Sequence, residues 1–269
     1  LRGIVVEVTL FSAYYNEWLH SPLNVANNIN GIGNMAVGLV YNLSDPAITA
    51  VQEALTEKIV TELNAFDNVY FEICNEPYLG GVTPAWQQRI AARIRNTEAL
   101  LPKQHLIAQN VANGAATISN PDPLVSIFNF HYAPPEAVSW NYGLNRPIGL
   151  DETGFRGATD TPYRKEAWKF IMAGGGAYNN LDWSFSAASE SGNDFSWTKT
   201  LGGGGPSLRT QISTLARFIN SFEMTRMVPG TSFIKGGTPA AAHALSEAGR
   251  QYAVWLDGGA QANLQLELP

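Results

Sequence analysis

Two segments of this sequence place a glutamate directly after a short apolar run. Residues 68–74 are mostly apolar and lead into Asn75, Glu76 and a proline. About 75 residues later, the apolar residues 147–150 lead into Asp151 and Glu152. A proline stops the hydrogen-bond ladder of a strand, so we predict Glu76 at the C-terminal end of one. In a protein built of βα repeats, catalytic groups collect at that end of the strands.

Two carboxyl groups at strand ends suit the hydrolysis of a glycosidic bond. At a separation of ~5–5.5 Å one acts as nucleophile and the other as acid and then base, whereas ~6.5–9.5 Å leaves room for direct attack by water. We therefore interpret Glu76 and Glu152 as candidate catalytic residues, with Asn75 as an amide donor to a sugar hydroxyl. Each glutamate also has a structural interpretation, Glu76 as the cap of a loop and Glu152 as the ion-pair partner of Arg156.

Three further candidates stand at predicted strand ends. His131 and Tyr132 follow the apolar residues 125–130, and Trp183 follows the last predicted strand. A tyrosine hydroxyl can stabilise an ionised carboxylate, a histidine can contact substrate or move a proton, and an indole can stack on a sugar ring. The competing interpretations are a structural histidine and a tryptophan in the core.

The elements that would hold these residues alternate along the chain. We predict strands at residues 3–11, 69–74, 105–108, 125–130, 147–150 and 177–185. Helices are predicted to begin at Asp45-Pro46, Thr83-Pro84, Thr161-Pro162 and Gly205-Pro206, because a capping residue before proline is typical of a helix start. This order predicts an α/β fold with a parallel sheet, a (β/α)8 TIM-barrel type that is incomplete, with about six βα units.

A loop without regular structure is predicted over residues 12–43, and it is rich in asparagine and aromatic residues. Long loops of this kind are often functional, so Trp18 and Asn28 are candidates for substrate binding. After residue 226 short apolar runs alternate with glycine-rich turns. We therefore predict a barrel domain at residues 1–226 and part of a small β-sandwich-like domain at residues 227–269.

Composition narrows the class of partner. The formal net charge is −6 and the pI is near 5.2, which disfavours nucleic acid and anionic membranes as partners. No apolar run reaches the ~18 residues of a membrane span. The single cysteine, Cys74, lies in a predicted strand, and the four histidines are scattered. Neither a metal site nor a cofactor is predicted, and a carbohydrate substrate is the expected partner.

The order of motifs resembles that of the clan A (β/α)8 glycoside hydrolases, closest to the cellulase-like family 5. The resemblance rests on Asn-Glu-Pro after one strand, His-Tyr after a later one, then Glu-Thr-Gly and a final tryptophan. It implies a retaining mechanism, with Glu76 as acid and base and Glu152 as nucleophile. Asn75, His131 and Tyr132 would support them, together with Trp183. Family members often act outside the cell, although the sequence leaves the compartment open.

Two departures from the family pattern affect this interpretation. The first two barrel strands and the arginine of the second are missing, and the first strand ends in Thr9-Leu10-Phe11-Ser12, without the histidine often found there. Removal of two N-terminal βα units would explain the first departure. The free edge of residues 3–11 is then expected to be covered by another copy of the chain or by a complementing fragment. A catalytically silent, carbohydrate-binding remnant is the alternative function.

Overall fold

The structure, a computed structural model, describes residues 3–13, 15–196, 203–237, 241–258 and 263–268. The chain divides into two compact units, Leu1–Asn129 and Phe130–Pro269. In the described parts of the chain, no helix is both long and apolar enough to cross a membrane.

Six parallel strands follow one another in chain order as hydrogen-bonded neighbours. They are β1 (Val6–Thr9), β2 (Val69–Glu72), β3 (Ile107–Asn113), β4 (Ile127–His131), β5 (Ile148–Glu152) and β6 (Ala177–Tyr178). The first three belong to the first unit, the last two to the second, and β4 contains the boundary. Parallel strands in sequential order that alternate with helices characterise an incomplete α/β fold of TIM-barrel type, so the predicted fold class is confirmed.

The last predicted strand is much shorter than expected. Only Ala177–Tyr178 forms regular strand, although residues 177–185 were predicted. Beyond it the chain still runs beside β5, because Asn179 donates to the carbonyl of Leu150 and Leu181 to that of Thr153, each at 2.8 Å. Trp183 therefore follows an irregular extended segment rather than a strand.

Five α-helices connect and flank the strands. They are α1 (Pro46–Leu63), α2 (Pro84–Glu98), α3 (Glu136–Asn141), α4 (Asp160–Met172) and α5 (Pro206–Ile219). Asp45 caps α1 by accepting from two backbone N–H groups, and Thr83 caps α2. The prediction for α4 is wrong by two residues, since its N-cap is Thr159 rather than Thr161. Proline fits inside a first turn because the N–H groups there have no helical partner, and Asp160 is favourable beside the helix N-terminus.

The buried face of α1 differs from the apolar face that the sequence suggests. Gln52 and Thr56 are fully buried, whereas Val51 and Leu55 are partly exposed. The Gln52 amide donates to a backbone carbonyl at 3.0 Å and accepts from the indole of Trp86 at 2.8 Å. A polar side chain with both hydrogen-bonding groups satisfied is stable in the core, so α1 packs on α2 through Gln52.

The predicted loop at residues 12–43 contains three short 3-10 helices, Tyr15–His20, Val25–Asn27 and Val37–Leu39. The prediction of a loop without regular structure is therefore wrong. Asparagine side chains stabilise the segment: Asn24 bonds the carbonyl of Trp18, and Asn27 bonds two further carbonyls at 2.9 Å. Such side-chain bonds to the backbone replace the long hydrogen-bond ladders of regular elements.

Two small antiparallel sheets occupy the C-terminal part of the second unit. One has the order β10 (Gln251–Asp257), β9 (Ala241–Glu247), β7 (Val228–Pro229), and the other pairs β11 (Gln265–Leu266) with β8 (Ile234–Gly236). The larger sheet buries Leu245 and Ala253 against Met172 of α4 and Met227. A separate domain at residues 227–269 stays a prediction.

Strand β1 lies at the end of the sheet order. Val6 and Leu10 donate their N–H groups toward β2, so the backbone groups of Glu7 and Thr9 point to the opposite edge. The apolar residues Ile4 and Val5 are about two-thirds exposed there. That another copy or a fragment covers this edge stays a prediction.

Candidate active site

The first unit places Glu76 just beyond β2 in an unusual backbone conformation. Its φ is 43°, in the left-handed region, and its side chain is 8% exposed. A non-glycine residue in this region costs of order 1–3 kcal/mol, and such positions cluster at functional sites. The preceding Asn75 is tied to the mouth of β1 by donating its N–H to the carbonyl of Phe11 at 2.9 Å. The backbone therefore sets the position of Glu76 although the conformation is strained.

The Glu76 carboxylate is linked to the end of β3 by a residue that the sequence analysis missed. The Asn113 amide donates to Oε1 of Glu76 at 3.3 Å, and the Tyr78 hydroxyl donates to the Asn113 amide oxygen at 2.7 Å. Asn113 is the last residue of β3, and the predicted strand stopped at residue 108. Had the predicted strand extended to residue 113, Asn113 would have been identified as a neighbour of Glu76.

Trp18 and Asn28 both line a mostly apolar cavity of about 670 Å³ in the first unit. The Asn28 side chain donates to the carbonyls of Pro22, Asn24 and Ile32, so its amide nitrogen stabilises the loop itself. A role for these two residues in substrate binding stays a prediction.

The second unit places Glu152 at the end of β5 beside Tyr132. The Tyr132 hydroxyl donates to Oε1 of Glu152 at 2.5 Å, and the Tyr132 N–H donates to the Glu152 carbonyl at 2.8 Å. Tyr132 has a φ of 50°, so its backbone is also strained. This hydrogen bond fixes the position of the Glu152 carboxyl group relative to the tyrosine ring. The predicted proximity of these two residues is therefore observed.

His131 directly precedes Tyr132 in the chain and is buried, with 1% of its surface exposed. Its Nδ1 is 3.6 Å from Oε1 of Glu152, and its Nε2 is 3.6 Å from Oδ1 of Asp151. Both distances exceed a direct hydrogen bond, although a charged imidazole would attract both carboxylates. The ring is thus positioned between two acids at the end of β5.

A row of aromatic rings extends from this carboxylate. Tyr132 and Phe155 are 6.0 Å apart between ring centroids, and Phe155 and Trp183 are 6.1 Å apart. Phe155 is 56% exposed and has a φ of 60°, yet the sequence analysis missed it. The sequence signal that could have identified Phe155 as a site residue is its position three residues after Glu152. The indole N–H of Trp183 is buried without a hydrogen-bond partner among the described residues, which favours a polar ligand or water at that position.

The side chains of the two glutamates do not make the contacts that their purely structural interpretations require. The Glu76 side chain makes no capping hydrogen bond to the 3-10 helix that follows it. Arg156 pairs with Glu166 at 3.2 Å, while Glu152 bonds Tyr132. Cys74 is fully buried, and burial raises the pKa of its thiol, which makes it a poor nucleophile.

A pair of carboxyl groups in the first unit, the half-buried Glu7 and the buried Glu72, was also missed. Glu7 of β1 accepts from the hydroxyl of Tyr70 and the amide of Asn129, each at 2.7 Å, and Asn129 also donates to Glu72 at 3.2 Å. Burial raises the pKa of Glu7, and its hydrogen bonds to Tyr70, Glu72 and Asn129 oppose that shift. These acids lie within β1 and β2, and the Asn129 amide bonds both of them.

Comparison with known proteins shows that this chain is similar in fold to two solved structures. No family model matches the sequence, and no curated protein matches it. A protein from Bacteroides vulgatus ATCC 8482, described as a candidate glycoside hydrolase, matches with a TM-score of 0.55 and 13% identity, over 87% of this chain and 46% of its own. A second structure, described as a glycoside hydrolase, matches with a TM-score of 0.51 and 13% identity, over 73% of this chain and 53% of its own. The chain thus spans about half the length of these proteins.

Proposed function

We propose that the protein is a retaining β-glycosidase acting on a β-linked glucan or a related oligosaccharide. The observation that carries the proposal is the short hydrogen bond from Tyr132 to Glu152 at the end of a parallel strand. The fold shared with two structures described as glycoside hydrolases supports it. The resemblance of the motifs to clan A and to the cellulase-like family 5 supports the retaining mechanism.

In this mechanism Glu152 is the nucleophile. Its carboxylate oxygen attacks the anomeric carbon as the bond from that carbon to the leaving oxygen breaks, and Glu76 gives its proton to that oxygen. Glu76 then removes a proton from water, the resulting hydroxide attacks the anomeric carbon, and Glu152 leaves as a carboxylate. The hydrogen bond from Tyr132 orients the Glu152 carboxylate before attack. Retention requires the two carboxyl groups to come within ~5–5.5 Å of each other.

The supporting residues have distinct proposed roles. Asn75 binds a sugar hydroxyl beside the reacting carbon, and His131 orients the Glu152 carboxylate from behind. Trp183 and the neighbouring Phe155 form an apolar wall for the sugar face. No metal or organic cofactor takes part in these steps.

The decisive experiment traps the covalent intermediate. An aryl β-glycoside with fluorine at carbon 2 slows breakdown of the glycosyl-enzyme, so mass spectrometry of the digested protein should find the sugar on the peptide that contains Glu152. Glu152→Gln should lower kcat/KM for aryl β-glycosides by a factor on the order of 10³ or more. Glu136→Gln, an exposed glutamate of the same unit, is the matched control. A label on another residue, or turnover undiminished in Glu152→Gln, would refute the assignment.

Tyr132→Phe separates the proposed role of the hydroxyl from that of the ring. A hydrogen bond to a charged group contributes about 1.5–3 kcal/mol, which predicts a roughly 10- to 100-fold fall in kcat/KM with the fold intact. An unchanged kcat/KM would mean that this bond does not support catalysis.

A catalytically silent carbohydrate-binding protein is the second candidate. It is favoured by the position of β1 at the end of the sheet order among the described strands, because a site whose supporting wall is incomplete easily loses its geometry. Binding of β-linked oligosaccharides without hydrolysis or labelling would select this alternative.

A further inference from the structure

One face of the sheet in the first unit carries polar side chains where the interior of a barrel is usually filled by branched apolar ones. Glu7 pairs in register with Tyr70, so these two side chains point to the same face. Thr9 pairs with Glu72 on that face and donates its hydroxyl to Oε1 of the glutamate at 3.3 Å. Gln109 of β3 points to the other face, where it bonds α2. The face of Glu7 and Glu72 is called the inner face below.

The two carboxyl groups of the inner face lie side by side. One carboxylate oxygen of Glu7 is within 4.8 Å of one of Glu72. The amide nitrogen of Asn129 donates to both groups, at 2.7 Å and 3.2 Å. Glu72 is 2% exposed and Glu7 is half-buried, so water screens their charges poorly. Two ionised carboxylates at this separation repel each other, and a cation or a shared proton relieves the repulsion.

Two asparagine side chains of the inner face have amide atoms that remain unused. Asn129 is fully buried, and its Oδ1 has no hydrogen-bond partner among the described residues. Asn110 is 1% exposed, and neither Oδ1 nor Nδ2 has a partner in the described part of the chain. Ala108 pairs in register with Glu72, so Asn110, two residues further along β3, points to the same face. Because buried amide atoms are normally hydrogen-bonded, these side chains indicate a ligand on the inner face.

The atoms on the inner face suit one class of ligand. Carboxylate and amide oxygens are the ligands that Mg²⁺ and Ca²⁺ prefer, whereas zinc and copper prefer thiolate and imidazole. Cys74 also points to the inner face, two residues after Glu72, but burial raises the pKa of its thiol, so it supplies no thiolate. The last torsion of an asparagine is nearly two-fold, so the Asn129 amide can turn its oxygen toward the two acids. Two carboxylates and a neutral oxygen then face one point.

We propose that Glu7, Glu72 and the amide oxygen of Asn129 bind a hard divalent cation, Mg²⁺ or Ca²⁺, on the inner face of the first unit. Asn110 supplies a further neutral oxygen on the same face. The cation neutralises two acids that burial would otherwise set against each other, and it joins β1, β2 and β4 at one point. Its role is to stabilise the first unit, so the proposal is independent of the glycosidase mechanism. No metal site was predicted from the sequence, because these residues belong to different strands.

The first measurement is cation binding to the chelator-treated protein. Ca²⁺ and Mg²⁺ are titrated separately by calorimetry, and the lower Kd identifies the preferred cation. A cation at 100 times its Kd should raise Tm by roughly 5–10 °C. Glu7→Gln and Glu72→Gln should each raise Kd roughly tenfold or more, because each removes one charged ligand. The matched control Glu62→Gln, on the surface of α1, should leave Kd unchanged.

Two further variants locate the cation. Tb³⁺ replaces Ca²⁺ at oxygen sites and emits light when a nearby aromatic ring is excited, and the Tyr70 hydroxyl bonds Glu7 at 2.7 Å. Tyr70→Phe should therefore lower the sensitised emission several-fold. Asn129→Asp adds a third carboxylate, so it should lower Tm without cation and lower Kd roughly tenfold. A purely structural role of the Asn129 amide predicts the fall in Tm alone.

The proposal is overturned by the absence of both binding heat and a rise in Tm at millimolar Ca²⁺ and Mg²⁺. An unchanged Kd in both glutamine variants, or undiminished Tb³⁺ emission from Tyr70→Phe, would place the cation elsewhere and overturn it too. If the glutamine variants do not fold, the Kd of Asn129→Asp decides. None of these measurements involves turnover, so they leave the proposed glycosidase activity to its own test.

Discussion

Replacing Glu98 with Gln should destabilise the protein strongly, because Glu98 is a fully buried acid that holds two segments together. Its carboxylate accepts from Nδ1 of His105 at 2.6 Å and from the His105 backbone N–H at 3.0 Å. Nε2 of His105 lies 2.7 Å from the carbonyl of Phe66. A carbonyl only accepts, so Nε2 donates to it, and Nδ1 shares the second hydrogen bond with the Glu98 carboxyl group. Glu98 and His105 therefore form a buried hydrogen-bonded pair.

The size of the effect follows from what the amide of the Glu98→Gln variant can replace. Its oxygen can accept one of the hydrogen bonds, but its NH2 group would face the His105 backbone N–H, which also donates. Leaving a buried donor without its acceptor costs about 1–3 kcal/mol. Because an amide keeps one acceptor, we expect about 2 kcal/mol. That corresponds to a fall in Tm of roughly 4–8 °C for a protein of this size.

Thermal unfolding followed by circular dichroism at pH 7 measures this directly. Glu62→Gln is the matched control, because Glu62 pairs with Lys58 on the surface of α1 and both side chains are more than 60% exposed. Its Tm should equal that of the wild type. A fall of less than about 2 °C in Glu98→Gln would show that the hydrogen bonds between Glu98 and His105 do not stabilise the fold.

Three further predictions concern the first unit. Because burial raises the pKa of Glu7, the unfolded chain loses that proton first, so stability falls as the pH rises from the ordinary to the raised pKa. Glu7→Gln should remove this part of the fall in the free energy of unfolding, measured by urea unfolding between pH 4 and 8. An unchanged pH dependence of that free energy would contradict the prediction. Asp45→Ala should cost about 1 kcal/mol by removing the cap of α1, as measured by the same unfolding. If the edge of β1 is covered by a second copy, light scattering should give a dimer, and a monomer without a second polypeptide would exclude such a cover.

Local patterns were enough to predict much of the fold. The caps at Asp45 and Thr83 were predicted correctly because a capping side chain and a proline act within one helical turn. The six apolar runs identified the six strands, since burial on both faces demands continuous apolar sequence. The position of Glu152 at the end of β5 follows from the same pattern.

Long-range partners could not be predicted in this way. The apolar residues of α1 do not reveal its buried face, because hydrogen bonds of Gln52 to residues far along the chain decide it. The Asn113–Glu76 contact was missed because it depends on where β3 ends.

The sequence by itself determined that Glu152 lies at the end of a strand and Glu76 just beyond one, because continuous apolar runs precede both residues. Only the tertiary structure decided how those residues are paired. The hydrogen bond from Asn129 to Glu7 joins residues 122 apart, and that from Tyr132 to Glu152 depends on strand register. The strained backbone of Glu76 and Tyr132 likewise exists because surrounding contacts hold it.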